Sequence, residues 1–199
     1  MKTSLLRAST GESLRLEDIK THLRIPMGYT IDDNYLERLR DVAQTWVEEY
    51  TNRKLRRERY KLYLDRWSTN DYISIPFTPL SSAPSTAIVY KKSDGNSTTF
   101  SSSAWEFDIH SEPGRIYLGY NEDWPNDELW NVNPISVEFL CGYADAKSTT
   151  GGIPAEIQHA MLLIIGDLYE NRENTLLGVV PHTLKCAERL LSSKRIYKF

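Results

Sequence analysis

Residues 153–173, Ile-Pro-Ala-Glu-Ile-Gln-His-Ala-Met-Leu-Leu-Ile-Ile-Gly-Asp-Leu-Tyr-Glu-Asn-Arg-Glu, constrain the fold of this chain more than any other stretch. Their spacing predicts a helix. Pro154 can open it, because the proline's missing N–H would have no intrahelical partner in the first turn. Ile157, Met161, Ile164 and Leu168 recur at helical spacing, and Leu162, Ile165 and Tyr169 widen the stripe beyond one narrow seam. A stripe that wide has to be covered on much of the helix circumference, so the segment reads as the centre of a helical core. It turns abruptly polar at Glu170-Asn171-Arg172-Glu173.

Other segments can cover it. Residues 14–24 predict a short helix with Ser13 as N-cap and Leu16, Ile19 and Leu23 on one face. Ile25-Pro26 breaks it, since the residue before proline is pushed out of the helical region. Asp32 or Asp33 then caps a longer helix to about Thr51. Its inward stripe is Leu36, Leu39, Ala43, Trp46 and Tyr50, which leaves Glu37, Arg38, Arg40, Asp41, Glu48 and Glu49 mostly outside. This helix is the expected partner of the apolar one. Near the C-terminus, Pro181 opens a last helix to Ser192 or Ser193, with Leu184, Ala187, Leu190 and Leu191 inward.

Between these helices the period changes from helical to two. Tyr60, Leu62 and Leu64 alternate with Lys61, Tyr63 and Asp65, as in a half-buried strand. Residues 72–75, 86–91, 98–100, 105–109, 115–118 and 135–141 predict further short strands. Ser93-Asp94-Gly95-Asn96 is a hairpin turn, because Asp-Gly tolerates the positive φ of tight turns, and Pro113-Gly114 marks another. Strands this short and closely spaced predict a small antiparallel sandwich or open barrel of meandering order. Residues 144–152 form a small-residue linker back to the helices.

The charge distribution follows the same division. Residues 1–66 carry 14 Lys and Arg against 11 Asp and Glu, residues 67–153 carry 4 against 11, and residues 154–199 carry 6 against 5. The two ends are alike and the middle is acidic. The expected fold class is therefore α+β. A helical bundle is built from residues 1–55 and 146–199, with an antiparallel β subdomain inserted at 56–145. No run of about 18 apolar residues occurs, so no transmembrane helix is expected, and the N-terminus lacks the apolar segment of a signal peptide. Cys141 and Cys186 lie in different predicted elements and are expected to be reduced.

Patterns that carry chemistry are scarce. Gly151-Gly152 precedes a proline and is not followed by Lys-Ser or Lys-Thr, so it is no phosphate loop. No Gly-x-Ser-x-Gly elbow occurs. His22, His110, His159 and His182 lack the i, i+4 spacing of a helical zinc site, and His159 is expected to be a structural histidine on the rim of the apolar helix. Asn96-Ser97-Thr98 matches a glycosylation acceptor that a cytoplasmic protein would not use. No catalytic residue, metal or cofactor is expected.

Two stretches keep two readings each. Residues 121–130 pack Glu122, Asp123, Asp127 and Glu128 with Trp124 and Trp130. They could bind or hydrolyse carbohydrate, by ring stacking and paired carboxylates, or form a loop anchored by its tryptophans with its acids solvated. Arg53, Lys54, Arg56, Arg57 and Arg59 form the densest basic run. It could touch nucleic acid phosphates, or complement the negative end of the preceding helix and project into solvent.

Three segments together resemble the head–tail connector (adaptor) proteins of long-tailed bacteriophages and prophages. Leu16-Glu17-Asp18-Ile19-Lys20-Thr21-His22-Leu23-Arg24 is similar to that family's opening helix. Asp32-Asp33-Asn34-Tyr35-Leu36 through Trp46-Val47-Glu48-Glu49-Tyr50-Thr51-Asn52-Arg53-Lys54-Leu55 is similar to its second. Ile153-Pro154-Ala155-Glu156-Ile157 through Leu168-Tyr169-Glu170-Asn171-Arg172-Glu173 resembles its third. The strand-rich middle resembles longer members, with Ile75-Pro76 and Val89-Tyr90 ahead of Asp94-Gly95. The Trp124 to Trp130 loop has no counterpart in that pattern.

The resemblance implies a structural, non-enzymatic role. It implies a ring, typically twelvefold, beneath the portal protein of the filled head, extending the channel for double-stranded DNA that only passes through. The implied partners are the portal, a tail-completion or stopper protein, and further copies of the chain, with no membrane. The implied location is the virion's head–tail interface, after assembly in the host cytoplasm. Arg53, Lys54, Arg56, Arg57 and Arg59 become candidates for a lateral contact or the channel wall. Arg189, Lys194, Arg195, Tyr197 and Phe199 become the candidate portal-docking segment, since an aromatic and basic end readily orders on a partner. The plain alternative for that end is a packed helix with a frayed tail.

Overall fold

The computed structural model describes residues 2–9, 11–81, 87–144, 152–172 and 185–197. They fall into two units, Met1–Thr10 with Arg57–Gly142, and Gly11–Arg56 with Tyr143–Phe199. The chain is α+β, with antiparallel sheets in the first unit and helices in the second.

The helical unit contains α1 (Leu16–His22), α2 (Asp33–Thr51), α3 (Ala155–Glu170) and α4 (Lys185–Ser192). Pro154 is the N-cap of α3. Ile157, Ala160, Met161, Ile164 and Ile165 of α3 are buried, and α3 packs against both α2 and α4. Each buried isoleucine or methionine contributes about 1.5–3 kcal/mol by leaving water. The stripe on α2 is rotated from the expected one. Val47, Gln44 and Thr51 are buried with Leu36, Leu39 and Ala43, whereas Trp46 and Tyr50 sit at the rim and stack, with centroids 5.3 Å apart and planes 7° from parallel. Their flat faces cover one another, which removes apolar area from water without full burial. Arg40 and Glu48 are also drawn in, their side chains only 12% and 11% exposed.

The caps differ from expectation. Ser13 is buried and α1 begins after Arg15, with no side-chain cap. Asp32 is the N-cap of α2, yet its carboxylate accepts from the Tyr169 hydroxyl at 2.8 Å rather than capping the helix. Buried Lys20 organises the α1–α2 turn. Its ammonium donates to the Tyr29 carbonyl at 2.8 Å and pairs with Asp33 at 2.5 Å. His159 is exposed, edge-on to His22 at 6.3 Å. Pro181 and Leu184 lie outside the described residues.

The β unit contains β1 (Lys2–Arg7), β2 (Glu58–Leu64), β3 (Tyr72–Ser74), β4 (Ile88–Lys91), β5 (Ser97–Phe100), β6 (Trp105–Asp108), β7 (Arg115–Leu118) and β8 (Ile135–Cys141). β4 to β8 follow the predicted strands within two residues, and Gly95 takes φ +89° in the β4–β5 turn. One sheet has the order β1-β2-β8-β4-β5, the other β3-β7-β6, and every pairing is antiparallel. Residues of both sheets share one core, including Leu62, Ile73, Ile88, Ile116, Ile135, Val137 and Phe139. The architecture is thus a two-sheet sandwich, but the larger sheet does not meander. β8 inserts between β2 and β4 because Ile135, Val137, Phe139 and Cys141 bury alternate positions along its length, and pairing on both sides satisfies a backbone that is too enclosed for an edge.

β1 is an element that the sequence reading did not contain. Its residues are mostly exposed, so no alternating pattern announces it. Gly114 shows a second difference in cause. A Cβ there would come within 2.8 Å of Leu80, so the turn after Pro113 needs glycine for space. Cys141 is buried and Cys186 exposed, both free.

Candidate functional site

The basic run does not form one surface. Arg53 is buried, with 8% of its area exposed. Its Nε donates to the Lys194 carbonyl at 2.6 Å and its Nη1 to the Tyr143 hydroxyl at 3.3 Å. Lys54 pairs with Glu48 at 2.7 Å, and Glu48 also accepts from the Leu55 N–H. Arg56 is half-buried, while Arg57 and Arg59 are exposed. The first two cations of the run therefore bond within the helical unit, and the last two belong to the β unit. Charge density along the sequence reported one patch where the chain has two environments.

Arg53 belongs to a clasp on the C-terminal tail. Asn52 ends α2 in the left-handed region at φ 57°, ψ 29°, a conformation that asparagine tolerates. From there its Nδ2 donates to the Ile196 carbonyl at 2.7 Å, and the Ile196 N–H donates to the Thr51 carbonyl at 2.9 Å. With the Arg53–Lys194 bond, residues 194–196 are tied to the end of α2. Lys194 is also 3.6 Å from Glu156 at the start of α3, and Glu156 is held below the usual carboxylate range by its backbone hydrogen bond and by Lys194. Described as far as Tyr197, the tail is an irregular segment fastened in place.

The clasp sets Arg195 between two rings, its guanidinium carbon 4.9 Å from the Tyr50 centroid and 5.3 Å from that of Tyr197. Trp46, Tyr50, Arg195 and Tyr197 thus form a ladder of stacked planes, such as guanidinium and aromatic faces favour. Tyr197 is 61% exposed and Val42 54%. Val42 and Trp46 line a shallow groove of about 440 Å³ with Asp41, Thr45 and Glu49. Of the predicted docking residues, Lys194, Arg195 and Tyr197 are brought together here. Arg189 is exposed on α4, and Phe199 lies outside the described residues. Sequence reasoning missed Val42 and misplaced Trp46 and Tyr50. The available signal was Val42 itself, an apolar residue on the otherwise charged face of α2.

The acidic loop is anchored. Trp124 stacks on Trp67 at 5.1 Å and 12°, approaches Phe100 at 5.9 Å, and donates to the Asn70 carbonyl at 3.0 Å. Asp127 accepts from the Tyr90 hydroxyl at 2.8 Å and the Lys92 ammonium at 2.9 Å, bonds that lower its pKa, the Lys92 bond first. Lys91 covers the Trp130 ring at 4.0 Å. Trp124 is engaged internally and is not a free platform for a sugar ring. Among the described residues no group of three or more His, Cys, Asp or Glu could hold a metal ion, and no helix is long and apolar enough to cross a membrane.

What the geometry assembles is surface: a fastened aromatic tail, a ladder along α2 and a sheet whose outer strands are β1 and β5. Residues 13–107, just under half of the chain, match the family described as phage gp6-like head-tail connector protein. Its fold is similar to a chain in the virion of a native gene transfer agent (GTA) particle, at 18% identity and TM-score 0.76. It is also similar to chains in the neck of an empty GTA particle computed with C6 symmetry (20%, 0.74) and of a native GTA particle computed with C12 symmetry (19%, 0.71). Each likeness covers 100% of this chain and 97% of the other. No curated protein sequence matches the chain.

Proposed function

We propose that this protein is a structural head–tail connector that forms a ring beneath the portal protein, extends the DNA channel and receives a tail-completion or stopper protein. The observation that carries this reading is the family match over α1, α2 and the first half of the β unit, joined to likeness along the whole chain to proteins of symmetric neck assemblies. Twelve copies around a portal, location in the virion after assembly in the host cytoplasm, and passage of DNA without specific recognition belong to the same proposal. So does the absence of a catalytic role.

The fold supplies what such a role needs. A ring subunit must be rigid and present two different lateral faces, because closed cyclic assemblies use heterologous contacts. Lys194, Arg195 and Tyr197, with Arg189 and Phe199, remain the candidate portal-docking end, extended by the ladder to Trp46 and Val42. The clasp would fix that end in direction and so lower the entropy lost on docking. Arg57 and Arg59 are the exposed members of the basic run for a lateral or channel-wall role.

Negative-stain microscopy of the cognate portal ring, with and without an excess of the protein, tests the proposal. The expected result is an added layer on the portal's outer end, with the symmetry read directly. A folded protein in excess that adds no density would overturn it.

A further inference from the structure

The larger sheet of the β unit has a basic edge at β1 and carries an acidic loop beside β4, at the end where β8 begins. In the order β1-β2-β8-β4-β5 β1 and β4 stand three spacings apart, roughly 14 Å. On the β1 side, opposite residues of an antiparallel pair share a face, so Lys2↔Tyr63, Ser4↔Lys61 and Arg7↔Arg59 place Lys2, Arg7, Arg59 and Lys61 together. They point away from the core, since the alternating Tyr60 and Leu62 are buried. Lys61 pairs with Glu138 at 3.3 Å. Lys2, Arg7, Arg57 and Arg59 are exposed and have no ion pair among the described residues. Leu5 and Leu6 on the same edge strand are 50% and 46% exposed.

Arg7 and Arg59 face each other directly. Like charges opposite one another destabilise a strand pair, so this placement costs stability in the isolated chain, and an anionic partner would offset that cost. The loop beside β4 offers the anion. The connection between β7 and β8 is held against β4 by the Trp130 N–H to the Lys91 carbonyl at 3.0 Å, the Ser93 N–H to the Glu128 carbonyl at 2.8 Å, and Asp127 on Tyr90 and Lys92. Through Trp124 it reaches Phe100 of β5. Lys92 is occupied by Asp127 and Lys91 by Trp130. Glu122, Asp123 and Glu128 remain exposed with no ion pair among the described residues. Beside them Tyr120 is 94% and Val132 66% exposed.

We propose that this edge and this loop are the two halves of one self-contact, in which the Arg7–Arg59 edge of one copy receives the Glu122–Asp123–Glu128 loop of the next. The inference rests on the ring reading and names the faces that close it. Complementary charge at two separate places on one body makes a head-to-tail contact, the heterologous kind that closes into rings. Leu5, Leu6, Tyr120 and Val132 supply apolar area for its centre, with the charges setting register and partner choice. It also gives the aromatic loop, which the family pattern does not account for, a lateral role.

The test uses two charge reversals of the full chain, one carrying Arg7→Glu and Arg59→Glu, the other Glu122→Lys, Asp123→Lys and Glu128→Lys. Self-association is followed by sedimentation velocity over a concentration series, with and without the portal ring. Each variant alone should assemble more weakly by on the order of tenfold or more, the range of close charge pairs across interfaces. An equimolar mixture should recover assembly, because each reversed edge then meets a reversed loop in an alternating ring, an outcome that misfolded variants could not give. Arg59→Gln alone should weaken assembly while raising the melting temperature of the monomer. Variants that assemble like wild type overturn the edge pairing and leave the ring reading standing. A wild-type protein that stays monomeric even on the portal overturns both. Steeply salt-dependent binding of duplex DNA by the wild-type monomer, lost with the arginines but not with the loop acids, puts a polyanion in place of the second copy and also overturns the pairing.

Discussion

Replacing Arg53 by Met separates the two roles that its basic run suggested. The guanidinium is buried and donates to the Lys194 carbonyl at 2.6 Å and the Tyr143 hydroxyl at 3.3 Å. Methionine fills much of the volume and donates nothing. The charged bond is worth about 1.5–3 kcal/mol and the longer one about 0.5–1 kcal/mol, while removal of the buried charge's own desolvation cost returns part of this. The expected loss is about 2–3 kcal/mol. For a chain of this size that lowers the melting temperature by roughly 4–12 °C. Arg57→Gln, a few residues on but exposed, should stay within about 0.5 kcal/mol. Urea unfolding followed by the far-UV helix signal reads both, with the midpoint moving and the slope unchanged. Amide exchange at Ile196, whose N–H bonds to Thr51, should rise in the Arg53 variant only. Equal effects of the two substitutions would refute the clasp, and with it the claim that this arginine serves the fold rather than a channel wall.

Three further outcomes are expected. Lys20→Met removes the cation from between the Tyr29 carbonyl and Asp33. Because Asp33 keeps 26% of its side chain exposed, the cost should fall below that of a fully buried pair, about 2–3 kcal/mol by chemical unfolding. Trp124→Ala takes one ring from the stack with Trp67 and Phe100 and should cost about 2–4 kcal/mol, less than a fully buried tryptophan. Calorimetry with oligosaccharides should show no binding to lose in this variant or in Trp130→Ala, and binding abolished by either substitution would restore the carbohydrate reading. Asp127 has a lowered folded pKa owing to Lys92 and Tyr90, so its contribution is complete above the unfolded value, about 3.9, and is lost as pH falls through the lower folded value. Tryptophan emission from the loop should therefore shift on acidification below that range in the wild type. In Asp127→Asn that step should be absent, and an unchanged titration would count against the bond.

Element identity was largely legible in the sequence. The helix behind Pro154 and the strands at 115–118 and 135–141 follow local rules, because a period of 3.6 or 2 and the chemistry of a turn are properties of neighbouring residues. Composition set an acidic middle apart from the two ends, but it placed residues 1–10 with the helices, whereas β1 pairs with β2 in the β unit. The family resemblance rested on the same local segments, two of which lie within the matched stretch.

What required the tertiary structure was every feature that depends on residues far apart in the chain. β1 is mostly exposed, and it is a strand because β2 offers it an edge. β8 lies between β2 and β4 because its alternate side chains need cover on both sides, and no local pattern encodes which strand meets which. Arg53 reads from the sequence as a solvated cation, as arginine usually is. It is buried because a carbonyl 141 positions away supplies an acceptor. The basic edge and the acidic loop follow the same logic, since their charges are visible in the sequence but their separation by two intervening strands exists only once the sheet has formed.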